Sequence, residues 1–160
     1  MGMNGKSNLR CRDAADERQY MLSGDYEVYE KVGEPIGAVA FHYHDFYELI
    51  YIMEGEFSSL IEDRAVRMRK GDFLLIDKNV MHKYHPTERE MDSSRRIILW
   101  ISDQMLMELA EGEPLLTECF LGVGPKLYHF PIYYEEILRG FLMKLAMSEI
   151  LEGTDTQSTG

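Results

Sequence analysis

The sequence predicts a mainly β protein, an antiparallel barrel or sandwich followed by two C-terminal helices. Between Asp25 and Ile101, short apolar runs alternate with Gly, Asp and Asn turn residues at close spacing, the pattern of an all-β domain. After Ser102 the apolar spacing lengthens to that of helices. At 160 residues and 45% hydrophobic content, the chain is long enough for one well-formed core.

The elements follow in order. Residues 1–24 are dominated by Gly, Asn, Ser and charge without a sustained period, and read as an N-terminal arm. Weak alternation over 26–29 gives a first strand, and Gly33-Glu34-Pro35 a turn. Residues 36–44 are β-like. Runs at 48–53 and 56–62 flank Glu54-Gly55, which reads as a tight hairpin. That register would set Ile52 opposite Phe57, Ile50 opposite Ser59 and Glu48 opposite Ile61. Turns at Asp63-Arg64, Lys70-Gly71-Asp72 and Asp77-Lys78-Asn79 separate strands at 65–68, 73–76 and 80–85. Residues 87–94 form a charged loop, and 96–101 read as a buried strand. Ser102 is an N-cap and Gly112 with Pro114 a stop signal, predicting a helix over 103–111. Residues 113–127 are loop-like, with one more short strand at 128–130. Pro131 and the acidic pair Glu135 and Glu136 suit a helix start, predicting a helix over 132–151 with Gly153 as its stop.

That last helix carries apolar residues around more than one narrow stripe. Two contacts would use them, one to the barrel and one to a second copy, with Leu138, Phe141, Leu142 and Leu145 as dimerisation residues. A single wide core face would use them equally.

The formal charge of −11 argues against nucleic-acid binding by this chain itself, since phosphate contacts need clustered Lys and Arg. Cys11 and Cys119 lie far apart and outside any C-x-x-C spacing, which fits a reducing cytoplasm rather than a disulfide framework. No secretory leader and no bilayer-length apolar run is visible, so a cytoplasmic location and no membrane partner are expected.

The chemistry concentrates in His42-Tyr43-His44-Asp45-Phe46-Tyr47-Glu48. On a strand, His42 and His44 would share a face. Glu48 follows four residues later, and His82 closes a later β-like run. Three roles are open to this set. His42, His44, Glu48 and His82 could hold a divalent ion such as Zn, Fe, Mn or Ni. The same groups could hydrogen-bond a small ligand, with Tyr84 on the face of His82, and with Phe57 and Ser59 on that of Glu48 if the hairpin register holds. Or the histidines could be satisfied by one another, by Glu48 and by water. His85 and His129 read as surface or packing residues. No nucleophile–base pair, phosphate-cradling glycine loop or cofactor fingerprint is visible, so no catalytic residue is assigned.

These motifs resemble those of the cupins. His42-x-His44, three residues, Glu48, six residues and Gly55 reproduce the spacing of the first cupin motif. Gly71, five residues, Asp77-x-Asn79, two residues and His82 reproduce the second. Asp77 stands for its proline, Asn79 for its glycine and Pro86 for its asparagine. The stretches 42–56, 69–76, 80–82 and 97–101, with the trailing helices, further resemble the N-terminal regulatory domain of AraC-type transcription regulators.

The resemblance implies a cupin-type double-stranded β-helix, a jelly-roll barrel, over 25–101. It implies a helical segment with a dimerisation helix over 102–152, and a linker tail at 153–160. The implied function is effector sensing: a small-molecule effector in the barrel, a homodimer, and DNA contacts only through a C-terminal helix-turn-helix domain absent from this chain. The competing expectation is a metal-dependent cupin enzyme of isomerase or dioxygenase type, with His42, His44, Glu48 and His82 around its ion.

Overall fold

A computed structural model describes residues 18–33, 40–85, 94–120 and 126–155, with side chains as far as Ser148. Among these residues the chain forms β1 (Tyr26–Val32), β2 (Tyr47–Glu54), β3 (Glu56–Ile61), β4 (Arg64–Arg69), β5 (Asp72–Ile76), β6 (His82–Tyr84) and β7 (Arg95–Ile101). There follow α1 (Asp103–Ala110), α2 (Leu115–Glu118), β8 (Lys126–His129) and α3 (Ile132–Asp155). A five-stranded sheet runs in the order β1-β7-β2-β5-β8, and a three-stranded sheet in the order β4-β3-β6. Every pairing is antiparallel. The sheets enclose one core, with Ile50, Ile52, Leu74, Ile98 and Trp100 from the larger and Phe57, Ile61, Val66, Met68 and Tyr84 from the smaller. This is the mainly β, cupin-type arrangement that the motifs imply.

The expected hairpin at Glu54-Gly55 does not form. β2 is already flanked by β5 and β7, so it has no free edge for β3, which pairs with β4 and β6 instead. A register shift between Ile52 and Glu54 and a positive φ of 76° at Gly55 carry the chain from one sheet into the other. The pairs expected from a hairpin are therefore absent. The alternation within β3 nonetheless buries Phe57, Ser59 and Ile61, because inward facing depends only on the two-residue period.

Other differences are local. Of the β-like run at 36–44, residues 34–39 lie outside the described residues, and the remainder makes one isolated bridge, His42 with His82. The late strand starts two residues earlier than expected and hydrogen-bonds to β5 at the edge of the larger sheet. The β structure is thus not finished at Ile101. The expected loop over 113–127 contains the single turn α2. Ser102 caps α1 as expected, its hydroxyl accepting from the Met105 N–H at 3.1 Å.

The larger sheet is apolar on both faces, as its run Ile97-Ile98-Leu99-Trp100 requires. Ile98 and Trp100 point into the barrel, while Val28, Tyr51, Phe73, Ile97 and Leu99 point outward. α3 covers that outer face: Leu142 and Ala146 are buried there, with Leu138 and Leu145 partly buried beside them. Each fully buried aliphatic side chain contributes roughly 1.5–3 kcal/mol, so α3 is an integral layer of the domain. Of the four residues expected at a dimer interface, only Phe141 stands well exposed, at 58%. The exposed apolar face of α3 runs instead through Tyr133, Ile137 and Phe141.

The N-terminal end of α3 is fixed by polar contacts. Glu135 is buried and accepts the Tyr51 hydroxyl at 2.6 Å. Its carboxylate also lies against Gly71, where an added Cβ would sit 3.1 Å from Oε2. At the other end of the chain, Arg18 pairs with Glu27 at 2.8 Å and lies 5.2 Å from the Trp100 ring centroid, so the end of the N-terminal arm folds back onto the barrel.

Candidate functional site

Three backbone features bring the histidines together. The bridge between His42 and His82 is a pair of hydrogen bonds, His42 N–H to His82 O at 3.0 Å and His82 N–H to His42 O at 2.9 Å. The Asn79 N–H donates to His44 O at 2.7 Å, tying the β5–β6 turn to the first motif. Asn79 itself has φ 62°, a left-handed conformation that Asn tolerates better than most residues. The glycine of the second cupin motif is therefore replaced by a residue suited to the same backbone shape.

Each imidazole is held through Nδ1 by a local backbone carbonyl: His42 by Ala40 O at 2.9 Å, His44 by Phe46 O at 2.9 Å and His82 by Val80 O at 2.8 Å. With Nδ1 as donor, a neutral ring carries its lone pair on Nε2. The ligand nitrogens of His42, His44 and His82 lie within 4.8 Å of one another. Glu48 is not part of that triad but adjoins two of its members: its Oε2 is 3.1 Å from His44 Nε2 and 3.3 Å from His82 Nε2. The second contact lacks hydrogen-bond geometry, leaving His82 Nε2 buried without a hydrogen-bond partner. The other oxygen, Oε1, accepts the Tyr84 hydroxyl at 2.6 Å.

Phe46 stacks on His44 with ring centroids 3.9 Å apart, and Trp100 lies against both rings. Glu48, His44 and His82 are buried, whereas His42 is half-buried, so the cluster opens to solvent on the His42 side. Phe41, Tyr43 and Met81, next to the bridged histidines in sequence, are exposed.

The electrostatics follow from this packing. Burial lowers the His42 pKa below its ordinary value. Burial also acts to lower that of His82, but the adjoining Glu48 carboxylate, with the Val80 carbonyl, outweighs it and the net direction is up. Burial acts to raise the Glu48 pKa, yet the imidazoles of His44 and His82 hold it well below the carboxylate range. Burial and the Glu48 charge push the Tyr84 phenol well above its usual range, so Tyr84 stays a donor to Glu48.

The residues fit a divalent ion. Three imidazole nitrogens with backbone-held Nδ1 groups form the outer-shell pattern of metal-binding histidines, and the orphaned His82 Nε2 has a use if it ligates. The donor set suits borderline ions and does not choose among Zn, Fe, Mn and Ni.

The other expected residues are placed differently. Tyr84 belongs to the cluster. Phe57 packs on Tyr84, centroids 5.2 Å apart, one step behind it. The Ser59 hydroxyl donates to Lys83 O at 3.2 Å rather than to the cluster. His85 is exposed, and His129 pairs with Asp72 at 2.5 Å. Phe46, Trp100 and Asn79 were not singled out in the sequence. The first two sit at inward positions of apolar runs, and only Asn79 carried a signal, its place in the second motif.

Residues 33–143 match the family described as the AraC-like ligand binding domain. The chain belongs to this family. Among solved structures, the AraC-like domain is similar to apo ToxT from Vibrio cholerae, at 12% identity and a TM-score of 0.52 over 84% of this chain and 56% of that one. It also matches the DMSP lyase DddQ from Ruegeria pomeroyi, at 26% identity and a TM-score of 0.42 over 51% of this chain and 40% of that one. A cupin-family protein with a double-stranded β-helix fold from Methanocaldococcus jannaschii matches at 16% identity and a TM-score of 0.44, over 54% of this chain and 78% of that one. This AraC-like domain thus spans well under two thirds of ToxT and of the lyase. No curated protein matches its sequence. Among the described residues, no helix is long and apolar enough to cross a membrane.

Proposed function

We propose that this AraC-like domain is the effector-sensing and dimerisation part of a transcription regulator, and that its ligand binds at His42, His44, Glu48, His82 and Tyr84. The observation that carries the site is the convergence of three backbone-oriented imidazoles on one another, beside a buried, anionic carboxylate that contacts two of them. The family assignment supports the sensing role. His42, His44 and His82 would hold a divalent ion, which would supply positive charge to attract an oxygen or nitrogen group of the effector. Glu48 balances the charge beside the ion, Phe46 O orients His44, and Tyr84 fixes Glu48. Phe57 and Ser59 support this constellation from β3.

A second copy docks through the exposed face of α3. The DNA contacts belong to a helix-turn-helix domain, and the location is cytoplasmic. A metal-dependent enzyme would use the same four residues around its ion. The regulatory reading is preferred because the match reaches Met143, within α3.

Titration calorimetry with Zn2+ and Co2+ tests the site. One ion per chain is expected, with binding at least tenfold weaker in His44→Ala and His82→Ala. Stoichiometric binding that both variants retain would locate the ion elsewhere, and binding accompanied by turnover in a cupin-enzyme substrate screen would favour the enzyme. Sedimentation equilibrium of wild type and Phe141→Asp tests assembly: a dimer that the substitution dissociates is expected, and a monomeric wild type at high concentration would refute the dimer.

A further inference from the structure

We infer a second ligand site, outside the barrel, for an uncharged apolar small molecule bound between α3 and the outer face of the five-stranded sheet. A pocket of about 420 Å3 lies there. Leu49, Leu75 and Leu99 form its floor on the sheet, Phe130 one wall, and Leu138 and Phe141 its roof on α3. Its position is set by the fold: these sheet residues face away from the histidine cluster, across the thickness of the sheet.

The lining defines the ligand chemistry. Apart from the aliphatic and aromatic residues, the pocket is bordered by Cys119, whose thiol already donates to Leu116 O at 2.9 Å. No charged side chain lines the pocket among the described residues, so a carboxylate or ammonium group would be desolvated without compensation. A neutral hydrocarbon or aromatic compound meets no such cost.

The dimensions point to a small molecule rather than a protein partner. The volume is roughly three times the ~150 Å3 of an engineered apolar cavity that takes up benzene, and it falls within the range of small-molecule pockets. Phe141 lines the pocket and is 58% exposed, so the pocket is open to entry on that side.

The site also has a means of acting on the domain. α3 is pinned at its N-terminal end by the bond between Tyr51 and Glu135, while the pocket lies under its next turns. A molecule there works as a wedge between the sheet and the helix. This site is independent of the effector reading for the histidine cluster, and its test separates the two.

The probe is N-phenyl-1-naphthylamine, an uncharged fluorophore, titrated into the full chain. A single saturable site is expected. Leu75→Trp and Leu138→Trp, each filling the pocket, should weaken binding at least tenfold, while the double variant His44→Ala/His82→Ala should bind as wild type does. A second measurement needs no pocket variant: in a Cys11→Ser chain, saturating probe should slow alkylation of Cys119 by iodoacetamide several-fold. The inference is overturned if uptake does not saturate, if it is lost with the histidines, if folded filling variants bind as tightly as wild type, or if Cys119 alkylates at an unchanged rate.

Discussion

Tyr84 donates its hydroxyl to Glu48 across the barrel at 2.6 Å, joining a strand of the smaller sheet to one of the larger. The partners lie 36 positions apart in sequence, and both are buried. Glu48 therefore presents one oxygen to Tyr84 and the other to the imidazoles.

Tyr84→Phe keeps the ring and removes this donor. A hydrogen bond to a buried charged group contributes about 1.5–3 kcal/mol, and a loss of that size is expected in urea unfolding of the metal-free chain. An unchanged midpoint would mean that Glu48 finds another donor.

Asn79 tests whether backbone shape at the second motif supports the site. With φ 62°, Asn79→Gly should leave stability within a few tenths of a kcal/mol and retain ion binding. Asn79→Val forces a β-branched residue into the left-handed region, at about 1–2 kcal/mol, and should weaken ion binding by shifting the amide that holds His44. Calorimetry and urea unfolding of the two variants read both effects.

The corner at Gly71 should be similarly intolerant. Its φ of 91° and the 3.1 Å approach of Glu135 to an added Cβ give Gly71→Ala an expected cost of about 1–3 kcal/mol. Tyr51→Phe, which removes the donor to Glu135, should free α3 at its base. Limited proteolysis should then cut within α3 faster than in wild type, at little change elsewhere.

A pH effect is expected at α1. The hydrogen bond from Lys78 at 2.8 Å holds the Asp103 carboxyl below its ordinary value, while burial and the hydrogen bond to Asp103 push Tyr47 up to about 12. Because the Asp103 pKa is depressed in the folded state, its contribution is present above the unfolded value of about 3.9 and is lost as pH falls through the folded one. Lys78→Met should flatten this acid limb in unfolding measured between about pH 2 and 5. The change should be small, since both side chains are more than a third exposed and solvent screens the pair. An unaltered acid limb would remove Lys78 as the cause.

Much of the architecture was legible because it rests on local rules. The inward alternation of β3, the cap at Ser102 and the start of α3 after Pro131 each follow from a few neighbouring residues. Pairing across the two sheets was not legible: Glu54-Gly55 looks like a hairpin turn, and only the occupancy of both edges of β2 makes it a corner. The fate of Leu138, Leu142 and Leu145 was hidden for the same reason, since most of the outer face they cover belongs to strands β1, β2, β5 and β7, far earlier in the chain. That His42, His44 and His82 come together was readable from their spacing; Glu48, expected with them, lies beside His44 and His82. The orientation of the imidazoles by backbone carbonyls, and the second role of Glu48 as acceptor for Tyr84, needed the packed structure.

The placement of β8 gives α3 the mechanics of a lever. The helix leaves the sheet edge only two residues after the strand ends, so its base is fastened to β5 through main-chain hydrogen bonds. Its 24 residues span ~36 Å at 1.5 Å per residue. A tilt of ~5° at that base would carry the far end through ~3 Å on the same rise per residue. A change of less than an atom's width at the sheet would reach whatever follows Asp155 as a displacement of about a full van der Waals contact.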